Sequence, residues 1–220
     1  MSNGRRVKLE HAVSAARTIV ERIGPCLRPI IAGSIRRGLP EVGDIEIVVQ
    51  SPKEYVKPVV NRMINNGYLE PRGDMRSMHR FYKLIAFPDT GPIKVDLFVA
   101  ESRFELPIML WQRTGPHRYT RYIYSHCMRK RCRICDSRLW WFPKEDWEQA
   151  KQLDSKQLAS AIHNEEISAM CRHPETERDL YSEAFIVPYT PPCDRNLQIL
   201  SEQLQILSEI DQRRSHYAGQ

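Results

Sequence analysis

The sequence predicts an α+β protein built from two small subdomains. Three observations carry that prediction: an apolar repeat spaced by three and four before residue 24, alternating apolar runs near residues 45 and 95, and a change of composition at "RTGP", residues 113–116. The first is the period of an amphipathic helix and the second that of half-buried strands. The third separates a strand-rich half from a basic, helix-rich half, and it places one domain at 1–112 and the other at 113–220.

Taken in order, Leu9, Ala12, Val13, Ala16, Ile19, Val20 and Ile23 form one helical face, which Gly24 and Pro25 end. "RPIIAG" reads as a short buried strand running into Gly33 and Ser34, and "SIRRG" as a turn or short helix. A glycine-serine pair at a helix start offers backbone N–H groups and a hydroxyl to an anion, with Arg36 and Arg37 at hand to supplement it. "DIEIVV" alternates, so Asp44, Glu46 and Val48 share one face of a strand while Ile45, Ile47 and Val49 share the other. "SPKEYVKPVVNRMINNG" is a helix starting at Ser51 or Pro52, with Val56, Val59, Val60, Met63 and Ile64 inward, Gly67 at its close, and Pro58 kinking it or moving its start. "RFYKLIAF" and "PIKVDLFVA" pair across the turn residues "PDTG", and the second carries Asp96. After Arg195, Leu197, Leu200, Leu204 and Leu207 mark a final helix.

A chain of 220 residues can bury a core without disulfides. Its N-terminal stretch is amphipathic rather than a signal peptide, and no run approaches a membrane span, so a soluble, cytoplasmic protein, monomeric and without a membrane partner, is expected. The net charge is +6. Between His117 and Arg138, Arg118, Arg121, Arg129, Lys130, Arg131, Arg133 and Arg138 face only Asp136, which matches the whole excess, and Tyr119, Tyr122 and Tyr124 are interleaved. Such a run is either a solvated helix face or a surface for a polyanion such as nucleic acid. Cys127, Cys132 and Cys135 with His126, and Cys171 with His173, raise the question of a tetrahedral zinc site, but the spacing lacks paired knuckles, and reduced, partly buried thiols are the default.

Three acids on adjacent strands repel one another unless divalent cations neutralise them, and hard oxygen ligands select Mg²⁺ or Mn²⁺. Two such ions could serve phosphoryl transfer while the glycine-serine turn and an arginine hold a triphosphate.

"GSIRRGLPEVGDIEI" followed by "KVDLF" resembles the palm signature of family X DNA polymerases, the DNA polymerase beta group of nucleotidyltransferases. "RTG" at 113–115 looks like that family's turn between palm and nucleotide-binding subdomain, and "VPYTPPCDR" at 187–195 like its closing segment. The resemblance spans roughly residues 10–195 and implies a palm with a mixed β-sheet plus a small, mainly helical nucleotide-binding (thumb or fingers) subdomain. It implies that Asp44 and Glu46 bridge two Mg²⁺ or Mn²⁺ ions and that Asp96 holds the catalytic one. Gly33, Ser34, Arg37 and Gly43 would contact the triphosphate of a dNTP, and Thr114 and Gly115 would line its sugar. The basic helix, through Arg118, Arg121, Arg129, Lys130 and Arg131, would lie on DNA. Four positions depart from the pattern: Glu46 replaces an aspartate, Lys94 an arginine, and Gln112-Arg113 an aromatic pair. About thirty residues precede Gly33, so no lyase or helix-hairpin-helix module is expected. The implied activity is short-gap filling in DNA repair. The alternatives are nucleotidyl transfer to a tRNA end, protein or small molecule, and a non-catalytic DNA-binding module.

Overall fold

Alternation along "DIEIVVQ" organises the first half of the molecule. In the computed structural model, which describes residues 6–74, 80–182 and 189–195, this stretch is strand β4. The chain divides into two compact units, Met1–Thr114 and Gly115–Gln220.

In the first unit, β1 (Val7–Lys8) and β3 (Glu41–Val42) form a small antiparallel ladder. β2 (Ile30–Ile31), β4 (Asp44–Gln50), β5 (Leu69–Pro71), β6 (Phe81–Ala86) and β7 (Ile93–Ala100) form a five-stranded sheet in the order β2-β4-β7-β6-β5. The β4–β7 pair is parallel and every other pair antiparallel, so the sheet is mixed, as the family resemblance implies. Ile45, Ile47, Val49, Val95, Leu97 and Val99 point to one face, where helices α1 (Leu9–Ile23) and α3 (Lys53–Asn65) cover them. α1 contributes Ala12, Ala16, Ile19 and Ile23, and α3 contributes Val56, Val60 and Met63. α3 starts after Pro52 and runs on through Pro58.

The opposite face is apolar over half its extent. There Val48, Phe98 and Ala100 pack with Met109 and Leu110 of α4 (Glu105–Thr114), a helix the sequence reading did not anticipate. The buried carboxylate of Glu105 anchors its start, accepting from the Glu101 amide at 2.9 Å and from Arg80. The other half carries Asp44, Glu46 and Asp96. Beside them, α2 (Gly33–Arg36) is a single turn.

The second unit starts with α5 (His117–Arg129), then the hairpin β8 (Cys132–Cys135) and β9 (Arg138–Trp141), then α6 (Lys144–Gln152), α7 (Ser155–His163), β10 (Met170–Arg172) and the short α8 (Glu177–Leu180). Its three strands form an antiparallel sheet in the order β10-β9-β8. The hairpin turns on Asp136 and Ser137, both left-handed at φ 48° and 56°, the conformation that a two-residue hairpin loop with the right twist requires. Phe142, Ala150, Leu158, Ala161 and Ile167 form its core. A capping box of Asp154 and Gln157 starts α7. The helix expected after Arg195 lies outside the described residues, as do the first two residues of "VPYTPPCDR".

Candidate active site

Strand register builds the site. In the parallel pair Glu46 is the partner of Asp96, and Asp44 that of Lys94; since alternate side chains share a face, Asp44, Glu46 and Asp96 rise from the same side of the sheet. β6 adds Lys83, the antiparallel partner of Asp96.

Gly33 sets how close the neighbouring turn comes. Its φ of +65° lies in the left-handed region, and a Cβ there would run into the Glu46 carboxylate, 3.0 Å from Cδ and 3.1 Å from Cβ. Both features require glycine. The longer acid at position 46 thus lies over a residue with no side chain. Next to it, the Ser34 hydroxyl oxygen is buried and has no hydrogen-bond partner among the described residues. Gly43, just before β4, has free space where a Cβ would stand.

The electrostatics follow from crowding. Burial, reinforced by the Asp44 carboxylate and opposed by Arg113, pushes Glu46 up to about 7. Burial also lifts Asp96 above the usual carboxylate range, against the pull of Arg72. Arg72, from the loop after β5, donates to Asp96 Oδ1 at 2.7 Å. Its own amide bonds the Lys83 carbonyl at 2.8 Å, which extends the β5–β6 ladder and fixes where the side chain starts. Arg113, near the end of α4, stacks its guanidinium 4.0 Å from the centroid of the Phe98 ring. Burial lowers its affinity for the proton, while Glu46 and Asp96 draw it back.

The donor set is all carboxylate oxygen, the chemistry that suits Mg²⁺ or Mn²⁺, and three mutually repelling acids gain from a divalent cation. As the side chains stand, no group of three His, Cys, Asp or Glu among the described residues is gathered closely enough to hold an ion. Asp96 is held by Arg72 and Glu46 lies on Gly33. The backbone therefore brings the ligands to one face, while two of the side chains are engaged with other partners.

Of the other residues singled out in the sequence, Arg37 donates to the Thr114 carbonyl, and Arg36 donates to the Thr114 hydroxyl at 2.8 Å. Thr114 is fully buried. Gly115 opens the second unit at φ +64° with a cis bond to Pro116. On α5, Arg118, Arg121 and Tyr122 are exposed along one helical face, and Tyr119, Ile123 and Cys127 are buried on the other. Arg131 is exposed in the turn beyond the helix, Lys130 is half-buried, and the side chain of Arg129 is not among those described. Arg133, a member of the basic run, is structural instead, and so is Arg195 of the closing segment. Arg133 is buried in β8 and donates to the carbonyls of Ala150 and Leu153, the latter at 2.8 Å. Arg195 is buried against Glu177 at 3.0 Å and donates to the Thr190 carbonyl at 3.1 Å.

The cysteines form no metal-holding group among the described residues. Cys135 donates to the Ser155 carbonyl at 2.9 Å and Cys127 to the Cys132 carbonyl at 3.5 Å. A hydrogen bond with Cys127, together with burial, pushes the Cys132 thiol far up, so it stays protonated. Sequence reasoning passed over Arg72 and read Arg113 only as a departure from a pattern. Arg72 gave no local signal, but the place of Arg113 two residues before a glycine at a compositional boundary could have marked it.

The fold is similar to that of polymerase beta from Leishmania infantum, solved as a ternary P/T complex, with a TM-score of 0.69 at 16% identity over 87% of this chain and 77% of that one. At this identity the likeness is one of fold. No family model matches the chain, and no curated protein matches its sequence.

Proposed function

We propose that this chain is a nucleotidyltransferase and, more finely, a DNA polymerase of the family X type that adds deoxynucleotides to a primer 3′-hydroxyl and fills short gaps. The observation that carries this reading is the emergence of Asp44, Glu46 and Asp96 from one face of the parallel β4–β7 pair, next to Gly33 and the unpartnered Ser34 hydroxyl. The likeness in fold to polymerase beta supports it.

In the proposed reaction the primer 3′-oxygen forms a bond to the α-phosphorus of the dNTP. The bond from that phosphorus to the bridging oxygen breaks, pyrophosphate leaves with the electron pair, and the hydroxyl proton passes to solvent. Asp44 and Glu46 of β4 and Asp96 of β7 would hold Mg²⁺ or Mn²⁺. When bound there, such ions polarise the attacking hydroxyl and neutralise charge on the phosphates. The chain's own residues position and neutralise. Gly33 and Ser34 offer an amide and a hydroxyl to phosphate oxygen, Arg72 orients Asp96, and Arg118 and Arg121 give exposed cations for DNA phosphates.

The test is primer extension on a one-nucleotide-gapped duplex with Mg²⁺ or Mn²⁺, each nucleotide supplied separately, with Asp96→Ala run alongside. Templated addition that falls by about a thousandfold or more in the variant, with DNA binding kept, is the expected result. Activity retained by the variant refutes the site. The structural engagement of Arg133 and Arg195 favours one second reading, an acceptor other than DNA. Nucleotide binding without addition to any DNA would establish that reading in place of the first.

A further inference from the structure

We infer that Arg113, rather than Arg37, is the side chain that takes the phosphate oxygens of the nucleoside triphosphate; this rests on the nucleotidyl-transfer reading and names a residue within it. The first argument is how four other arginines of this unit, Arg36, Arg37, Arg72 and Arg80, are used. Arg37 and Arg36 hold the end of α4 through the carbonyl and hydroxyl of Thr114. Arg80 is paired with the buried Glu105, and Arg72 with Asp96. Arg113 differs, because no hydrogen bond or ion pair joins it to any described residue. An arginine carries five N–H donors, and here none of them is taken by a described residue.

The second argument is preorganisation. The guanidinium carbon lies over the Phe98 ring, 4.0 Å from its centroid. Phe98 stacks in turn on Phe81, with centroids 4.5 Å apart and planes within 5°, and the Lys83 ammonium lies 5.5 Å from the centroid of the Phe81 ring. Stacking uses the π face of a guanidinium and leaves its in-plane N–H edge open, the edge that binds phosphate in a bidentate manner. The stack thus fixes the side chain without consuming its donors.

The third argument is charge. A triphosphate brings several negative charges to a sheet face that already bears Asp44, Glu46 and Asp96. Like charges so placed need a cation with donors to offer. Arg113 already lies within electrostatic reach of Glu46 and Asp96, so a phosphate arriving beside them meets it without a rearrangement of α4.

Calorimetric titration of metal-free protein with inorganic triphosphate, paired with steady-state kinetics for a dNTP on the gapped duplex, tests this. Arg113→Ala should weaken triphosphate binding about tenfold or more and raise the dNTP KM similarly, with a much smaller change in kcat. Arg113→Lys should recover part of the loss, since charge returns without the planar fork. Phe98→Leu, which keeps the charge and removes its platform, should cost about threefold in binding. Arg37→Ala should lower thermal stability and weaken triphosphate binding less than Arg113→Ala does. Equal binding by Arg113→Ala and wild type, a loss borne instead by Arg37→Ala, or no triphosphate binding by the wild type overturns the inference. Triphosphate binding that depends on Arg113 in a protein that extends no DNA keeps the inference and removes the polymerase reading. DNA extension with an unchanged KM in Arg113→Ala does the reverse.

Discussion

Two arginines of the second unit and two of the first play opposite parts. In the second, Arg195 is sealed against Glu177 and Arg133 grips two carbonyls near the end of α6. In the first, Arg72 and Arg113 stand at a face of clustered acids, one bound to Asp96 and the other stacked on Phe98. The residue type and formal charge are the same, and burial with partner decides the role. A buried cation with a matched acceptor holds the fold together, whereas a cation at an acidic face can exchange its partners for a ligand. Charge counted along a sequence therefore overstates what is available to DNA. Of the seven cations between residues 117 and 138, Arg133 is withdrawn, while Arg118, Arg121, Arg131 and Arg138 are exposed.

This contrast can be broken or sharpened by substitution. The largest effect on stability should come from Arg195→Ala, which leaves the Glu177 carboxylate buried without its partner at a cost of about 3–5 kcal/mol, read by urea denaturation. A loss under about 1 kcal/mol would place Arg195 among the ligand-binding cations and end the contrast. Gly33→Ala should cost about 2 kcal/mol from the left-handed backbone alone, and it should dislodge Glu46 from its place over the glycine, so stability and nucleotide addition should fall together.

Glu46→Gln sharpens the contrast from the acidic side. The folded protein holds the Glu46 proton up to about pH 7, against an ordinary 4.5 in the unfolded chain. Across that window the folded state binds more protons, so wild-type stability falls as pH rises from 4.5 to 7. The glutamine variant escapes that fall. In chelator-treated protein it should be more stable than wild type by about 1–3 kcal/mol above neutrality, with the advantage gone at acidic pH, as thermal melts across a pH series would show. A pH-independent difference would mean that Glu46 is neither desolvated nor crowded by Asp44 in the folded protein. The smallest change in stability should be that of Arg121→Ala, whose melting temperature should match wild type while the slope of log K against log salt for DNA falls by about 1.

Much of the first unit was legible because period and burial agree there. The alternation in "DIEIVV" and "KVDLF" placed three acids on one face, since a strand with an apolar core side leaves no other arrangement. The helices over Leu9–Ile23 and Lys53–Asn65 followed from three-and-four spacing. What escaped was set by distant contacts. Arg72 reaches Asp96 from 24 residues away, and nothing near it announces that partner. α4 escaped because it is buried over most of its surface, including Glu105, Ile108, Met109, Leu110 and Trp111, which blurs an amphipathic period. The β8–β9 hairpin was hidden in a basic run read as helix, although Asp136-Ser137 between "CRIC" and "RLWW" is a two-residue turn signal.

The pairing of Glu46 with Asp96 has a further consequence for how the molecule is made. β7 cannot slip by one residue against β4 without turning Asp96 into the layer beneath α1 and α3 and carrying Val95, Leu97 and Val99 out to the acidic side. A misregistered chain would lose its core and its acidic cluster in the same event, and would be open to proteolysis. Assembly of the acidic cluster is thereby inspected by the hydrophobic core, and a preparation of this protein should contain few folded molecules in which the three acids are misplaced.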